Sequence, residues 1–436
     1  MIPAAWLLTA LVCAAPAPLP TPPSDDDALL VDPTPTATPA RVELTGAWQE
    51  RVTSDLAWDP GEHPFEAFSE LTLGAHITPS TALEFTLAGR LRHRLLLDDA
   101  ARVTGVFEPE LREAALVWRV GAATVVAAGY RRPSWLHLVD PAPPDLRRGP
   151  FMDGREAVPV LAAEVSQAFG PLTLGALWLP LYTPARVPLG AAPWGEWAPA
   201  ALVPSLAVEA PPDLADLADY PGPRADGLTS SELGVIARLR TPAIDLTAAW
   251  LWRWDRASAP LGAAAMTRQH VVGLGAAFPT GPLRWTAEFA VTSDETAWTP
   301  TLTFERRPFL RWELALGITP ALPLDLTLEV HGTHAFGAVA KHFLDGGPND
   351  VGGELWIGGR MLLMLAFDGI LRLDARGGAD ALRKSWDLDA ELAARVTPAW
   401  ELALGLGVAA GDRADGGVGG VFAARDRVWL RSTFQL

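Results

Sequence analysis

The chain has 436 residues, 49% of them hydrophobic, and a formal net charge of −16. Lys341 and Lys384 are its only lysines, and an acidic balance without a basic stripe argues against nucleic-acid binding. Beyond the N-terminus no uninterrupted apolar run is long enough for a helical membrane span, so a membrane role would need strands closed into a barrel.

Residues 1–17 read as a secretion signal. Ala4 to Val12 is an almost wholly apolar run, and the small residues after it fit cleavage after Ala14 or Ala17. No Lys or Arg precedes Arg41, so either translation starts upstream or the signal is atypical. Cys13, the single cysteine, lies within this segment, and processing would leave a chain without thiols. Val12 directly before it is bulky for a lipidation site, which disfavours a lipoprotein. Residues 18–40 are rich in Pro, Thr and Asp and read as a disordered linker.

From residue 41 to 436 one theme recurs. Apolar and polar residues alternate for about ten positions, as a membrane strand requires, and then meet a turn. In Ala82 to Leu95 the face Leu83, Phe85, Leu87, Leu91, Leu95 opposes Glu84, Thr86, Arg90, Arg92, Arg94. In Ile244 to Trp254 the face Leu246, Ala248, Trp250, Trp252, Trp254 opposes Asp245, Thr247 and Arg253, with Leu251 a misfit on the polar face. Leu283, Trp285, Ala287, Phe289 and Val291 oppose Arg284, Thr286 and Glu288. Trp386, Leu388, Leu392 and Val396 oppose Asp387, Asp389, Glu391 and Arg395. A helix would scatter these charges around its axis, so strand is the better reading.

The connections alternate in length. Short ones include Gly121-Ala122, Gly170-Pro171, Thr241-Pro242 and Thr397-Pro398-Ala399; long ones include Arg132 to Pro159, Tyr182 to Ser230 and Ala335 to Val351. Outer-membrane barrels have this layout, with short periplasmic turns and long outer loops. The segments number about 18, or about 16 if boundaries slip, and single-chain bacterial barrels are even-numbered. The higher count needs Leu302 to Ile318 to be one strand passing through Pro308. The last residues, Val428 to Leu436, form a final amphipathic strand that suits closure. The Phe434-Gln435-Leu436 ending resembles the C-terminal signal read by the barrel assembly machinery.

Two stretches carry a family resemblance. The first holds Arg112 and Glu113, Gly129-Tyr130-Arg131-Arg132-Pro133-Ser134-Trp135, and Asp140-Pro141 leading to Asp145. The second is Leu177 to Pro188, with Pro180, Pro184 and Arg186. They resemble a family of uncharacterised, porin-like outer-membrane barrels similar in layout to alginate-export-type channels; Arg132 and Ala115 depart from its pattern. The resemblance implies a barrel and a channel, and no particular substrate.

No GxSxG elbow, HExxH or phosphate loop occurs. Gly273-Leu274-Gly275 and Gly405-Leu406-Gly407 sit on strands and suit close interior packing rather than a nucleotide. His331 and His334 are three apart, on opposite faces of a strand, and make poor co-ligands. Asp412 and Asp415 offer too few oxygens for calcium. Asp387 and Asp389 share a face, where a wet lining is a more economical reading than a catalytic dyad. No catalytic residue, metal or cofactor is expected.

The expectation is an all-β transmembrane antiparallel barrel in the outer membrane of a Gram-negative bacterium, acting as a passive channel for small hydrophilic or charged solutes. Candidate pore-lining residues are Arg90, Arg92, Arg94, Arg238, Arg240, Arg284, Glu288, Asp387, Asp389, Glu391 and Glu401. The Arg90–Arg94 ladder has two readings: a selective basic wall, or charges paired with their neighbours. The Tyr182 to Ser230 loop, with Trp194 and Trp197, is the expected constriction. Outer-membrane lipid, lipopolysaccharide and the assembly machinery are the expected partners. A plugged structural or receptor barrel is the first rival, and a barrel-borne hydrolase the second.

Overall fold

The computed structural model describes residues 40–55, 65–97, 103–142, 144–145, 156–183, 230–255, 267–298, 304–319, 324–336, 341–342, 353–366, 370–411 and 426–436. Eighteen long strands form one antiparallel barrel. The first six are β1 (Arg41–Asp55), β2 (Phe65–Ser80), β3 (Leu83–Leu97), β4 (Val103–Val120), β5 (Thr124–Arg131) and β6 (Val160–Phe169). Next come β7 (Leu172–Leu179), β8 (Glu232–Arg240), β9 (Asp245–Trp254), β10 (Arg268–Thr280), β11 (Leu283–Trp298) and β12 (Phe304–Ile318). The last are β13 (Leu324–Ala335), β14 (Gly353–Ala366), β15 (Leu371–Asp380), β16 (Ser385–Thr397), β17 (Trp400–Ala410) and β18 (Arg427–Gln435). Two small additions belong to long connections: a ladder between Pro144–Asp145 and Glu156–Ala157, and Lys341–His342 paired with the end of β11.

Each strand pairs with the next, and β18 returns to β1 with Phe434 opposite Trp48. The closing seam is reinforced by Leu436, whose N–H donates to the Gly46 carbonyl at 2.8 Å. Trp400 stacks on Phe434 beside it, with ring centroids 5.4 Å apart. Closure leaves the eighteen-stranded sheet, among the described residues, without an open edge, which is what allows a sheet to stand in lipid. Three of the short turns use glycine in the left-handed region, Gly121, Gly170 and Gly281, because the chain must reverse within a few residues.

The alternation seen in the sequence becomes two walls. Leu73, Phe85, Leu87, Trp118, Val165, Leu274, Trp285, Phe289, Leu404 and Leu430 point outward and are exposed as an apolar belt. Such a belt is what a bilayer requires of a barrel. The charged faces turn inward.

Two irregularities decide which face a residue takes. Pro308 lies within one continuous strand, β12, as the parity of its apolar residues requires. The register with β11 shifts between Thr292 and Glu295, across from it. On its other side the Pro308 carbonyl accepts the Phe336 N–H at 2.9 Å just past the end of β13, so the missing N–H falls where that ladder ends. On β4 the pairing to β3 skips Arg112, since Gly89 faces Leu111 and Ala88 faces Glu113. This bulge inverts the parity of β4 and carries Glu108, Glu110 and Glu113 to the same interior side.

Candidate functional site

The barrel interior holds a segment of its own connection. After β5 the chain turns inward at Arg132, makes a 3-10 turn at His137–Val139 and continues to Ala142. Trp135, Leu136 and Val139 are buried there with Val160, Ala162, Leu177, Leu179, Ala249, Leu251, Val271 and Ala290. These partners come from the inner faces of β6, β7, β9, β10 and β11. A polar interior wall has therefore become apolar where the segment rests on it, and burying this surface is what holds the segment inside.

Glycines make the room. A β-carbon on Gly273 would lie 2.2 Å from Val139 Cγ2, one on Gly275 would lie 2.4 Å from Leu136 Cδ2, and one on Gly234 2.5 Å from Trp135 Cη2. Polar contacts fix the orientation. The Leu138 N–H donates to Glu288 Oε2 at 3.1 Å, and His137 Nδ1 lies 2.8 Å from Glu313 Oε2. Arg253 Nη1 donates to the Asp140 carbonyl at 3.0 Å. Trp135 Nε1 donates to Glu164 Oε1 at 3.4 Å, and Arg131 Nη1 pairs with the other oxygen of that carboxylate at 3.3 Å. Yet the His137 side chain is 72% exposed, so the space beside the segment is open to water.

The arginine ladder lies on β3, away from this segment. Its members are nearly buried, and each is met by carboxylates. Arg90 pairs with Glu110 and lies 3.5 Å from Glu70; Arg92 reaches Glu70 at 3.2 Å and Glu108 at 3.4 Å; Arg94 reaches Glu66 at 3.2 Å. The paired reading of the ladder is the one the geometry favours. Its charge is largely neutralised by β2 and β4.

The remaining sequence candidates also face the interior. Arg240 pairs with Asp245 at 3.0 Å. Arg238 and Arg284 carry no ion pair among the described residues. Arg431 Nη2 bridges Glu391 and Glu401, lying 3.1 Å from the latter, and Trp429 Nε1 donates to Glu391 at 3.1 Å. Asp387 accepts from Trp356 Nε1 at 3.5 Å, and Asp389 lies opposite Arg376 in the ladder of β15 and β16. Thus Glu391 and Glu401 are brought together, while Asp387 and Glu288 belong to different parts of the wall.

The family-motif residues separate in the same way. Arg112 is the bulge residue and Glu113 faces inward. Gly129 has φ 130°, and a β-carbon there would lie 2.2 Å from the Ala114 carbonyl oxygen, so only glycine fits. Trp135 and Asp140 are part of the inward segment. Pro180 ends β7, and Ser230 Oγ donates to its carbonyl at 3.3 Å. Pro184, Arg186, Trp194 and Trp197 lie outside the described residues, as does most of the loop expected to form the constriction. The described segment that enters the barrel belongs to the Arg132 to Pro159 connection. Residues that the sequence reading passed over, Leu136, His137 and Val139, are its tip. One signal was present: Leu251, the misfit on β9, is fully buried beneath them.

The glycine pairs on β10 and β17 pack the interior as expected. Those on β10 receive the segment. On β17, Gly405 lies under Trp429 and Gly407 under Asp389 and Arg427. His331 and His334 take opposite faces: His331 lies 3.7 Å from Glu354 inside, and His334 is exposed against Phe336.

Comparison with solved structures places this architecture among known barrels. OccK11 (OpdR) of Pseudomonas aeruginosa matches with a TM-score of 0.51 at 12% identity, over 91% of this chain and 96% of that one. A BenF-like porin from Pseudomonas fluorescens matches with a TM-score of 0.50 at 11% identity, over 91% of this chain and 98% of that one. No protein-family model matches the chain, and no curated protein does. At such identities the likeness is one of fold, and the fold is that of porin-type outer-membrane barrels.

Proposed function

We propose that the protein is an outer-membrane channel through which small hydrophilic or charged solutes diffuse passively. The observation that carries this reading is the segment around His137: it narrows the interior from one side and leaves the His137 side chain polar and exposed to water beside it. A barrel of about this strand number encloses an aqueous lumen unless loops fill it. The belt of outward apolar residues supports insertion in the outer membrane, with lipid and lipopolysaccharide around the wall and the assembly machinery reading the last strand. The two solved structures with the same fold, one of them called a porin, add support. The finer kinship, to alginate-export-type channels, rests on the two sequence stretches alone.

In this reading the candidate lining residues divide by role. Glu288 holds the segment. Arg90, Arg92, Arg94, Arg240, Asp387, Asp389, Glu391 and Glu401 keep the wall polar while largely paired or hydrogen-bonded within it. Arg238 and Arg284 present charge to the solute near the short-turn end. Solute choice then comes from the gap beside His137 and from those two arginines, with no chemistry performed on the solute.

The test is single-channel conductance of the refolded protein in planar bilayers, at low and high salt. A variant with Trp135–Val139 replaced by Gly and Ser is measured alongside. Ohmic steps that grow when the segment is replaced support the channel. A folded, inserted barrel that stays silent in both forms would overturn it in favour of a plugged barrel.

A further inference from the structure

The outer wall has one feature the channel reading does not use. Four polar residues on consecutive strands face outward and lie directly opposite one another. Ser432 pairs in register with Glu50, Glu50 with Ser69, and Ser69 with His93. They form a single row across β18, β1, β2 and β3. The row lies within the apolar belt: Glu50 sits between Trp48 and Val52, each 39% exposed, and His93 between the exposed Leu91 and Leu95. Outward polar residues such as Gln167, His270 and His334 sit within two residues of a strand end, where water and headgroups reach them.

Glu50 is exposed and has no hydrogen-bond or ion-pair partner among the described residues. A carboxylate turned toward hydrocarbon is unfavourable unless something polar covers it. Ser432 accepts a hydrogen bond from Trp400 Nε1 at 3.0 Å, the His93 ring lies 6.4 Å from Phe107, and neither hydrogen-bonds to Glu50. The wall beside the row is low, with Ala67, Gly89 and Gly105 among the outward positions.

We propose that this row is the contact surface for a second copy of the chain. The charge pattern is self-complementary under a two-fold axis. With the axis through Ser69, Glu50 of one copy meets His93 of the partner subunit, and the reverse pair forms at the same time, as an isologous interface requires. Each carboxylate gains an N–H donor, and Ser69 lies against its own copy. The inference rests on the reading that the wall meets lipid.

Ser69 on the axis supplies the experiment. Full-length protein carrying Cys13→Ser and Ser69→Cys is refolded into liposomes and oxidised, next to a control with Leu274→Cys on the outward face of β10. The expected result is a covalent dimer formed several-fold more from Ser69→Cys than from Leu274→Cys. Light scattering in detergent is expected to show two copies for the Cys13→Ser parent, and one copy after Glu50→Leu with unchanged single-channel conductance. A single copy in the parent, equal cross-linking at both sites, or a dimer indifferent to Glu50→Leu would overturn the proposal. Failure of the parent to insert at all would instead strike the membrane reading beneath it.

Discussion

Gly273 on β10 and Val139 of the inward segment are so close that a β-carbon at position 273 would lie 2.2 Å from Val139 Cγ2. The segment is thus matched to a floor without side chains, and adding one should lift it. Gly273→Leu is expected to raise single-channel conductance while the barrel still folds. Overpacking of this kind costs about 1–3 kcal/mol. Conductance, together with the heat-dependent mobility shift of the folded barrel on gels, checks both parts. Unchanged conductance with a folded barrel would show that the segment does not set the bore.

Leu251 gives a second handle on the same contact. It is fully buried on an otherwise polar inward face. Leu251→Ala should destabilise by about 2–5 kcal/mol, as large-to-small changes in a packed cluster do. Leu274→Ala, on the exposed outer wall, should cost less. Urea unfolding in lipid vesicles compares the two, and equal costs would mean that the inward cluster is not packed as described.

The latch at the tip should show in fluctuations. Glu288 accepts the Leu138 N–H, and a hydrogen bond to a charged group contributes about 1.5–3 kcal/mol. Glu288→Ala is therefore expected to increase open-channel noise more than Glu313→Gln does. The His137–Glu313 contact involves a largely exposed histidine, and a double-mutant cycle on that pair should return about 0.2–1 kcal/mol.

The ladder predicts a separation of stability from selectivity. Arg92 is 2% exposed and bound to Glu70 and Glu108. Arg92→Met removes the cation that Glu70 and Glu108 share and should cost about 3–5 kcal/mol in urea unfolding. Reversal potential in a salt gradient should move little. Arg238→Ala should do the opposite, shifting the reversal potential toward cation preference at small cost in stability. A large selectivity change from Arg92→Met alone would restore the ladder as a selective wall.

Sequence by itself determined the strands and their faces, and narrowed their number to about 18 with 16 left open. Period-two alternation is a local property, and a barrel has only two sides on which to place it, so Arg90, Glu288 and Asp389 could be assigned inward and Leu87 and Phe289 outward from order alone. Pro308 inside a strand was legible for the same reason, because parity survives across it. Two things were decided by tertiary structure. One is the partnering of the ladder, which depends on a bulge at Arg112 that no alternation announces and that turns Glu110 and Glu113 to the same side. The other is that the Arg132 to Pro159 connection sends a segment into the barrel. Leu138 meets Glu288 across 150 positions and His137 meets Glu313 across 176. Such contacts exist only once the wall has closed, because closure is what brings the floor of Gly234, Gly273 and Gly275 beneath Trp135, Val139 and Leu136.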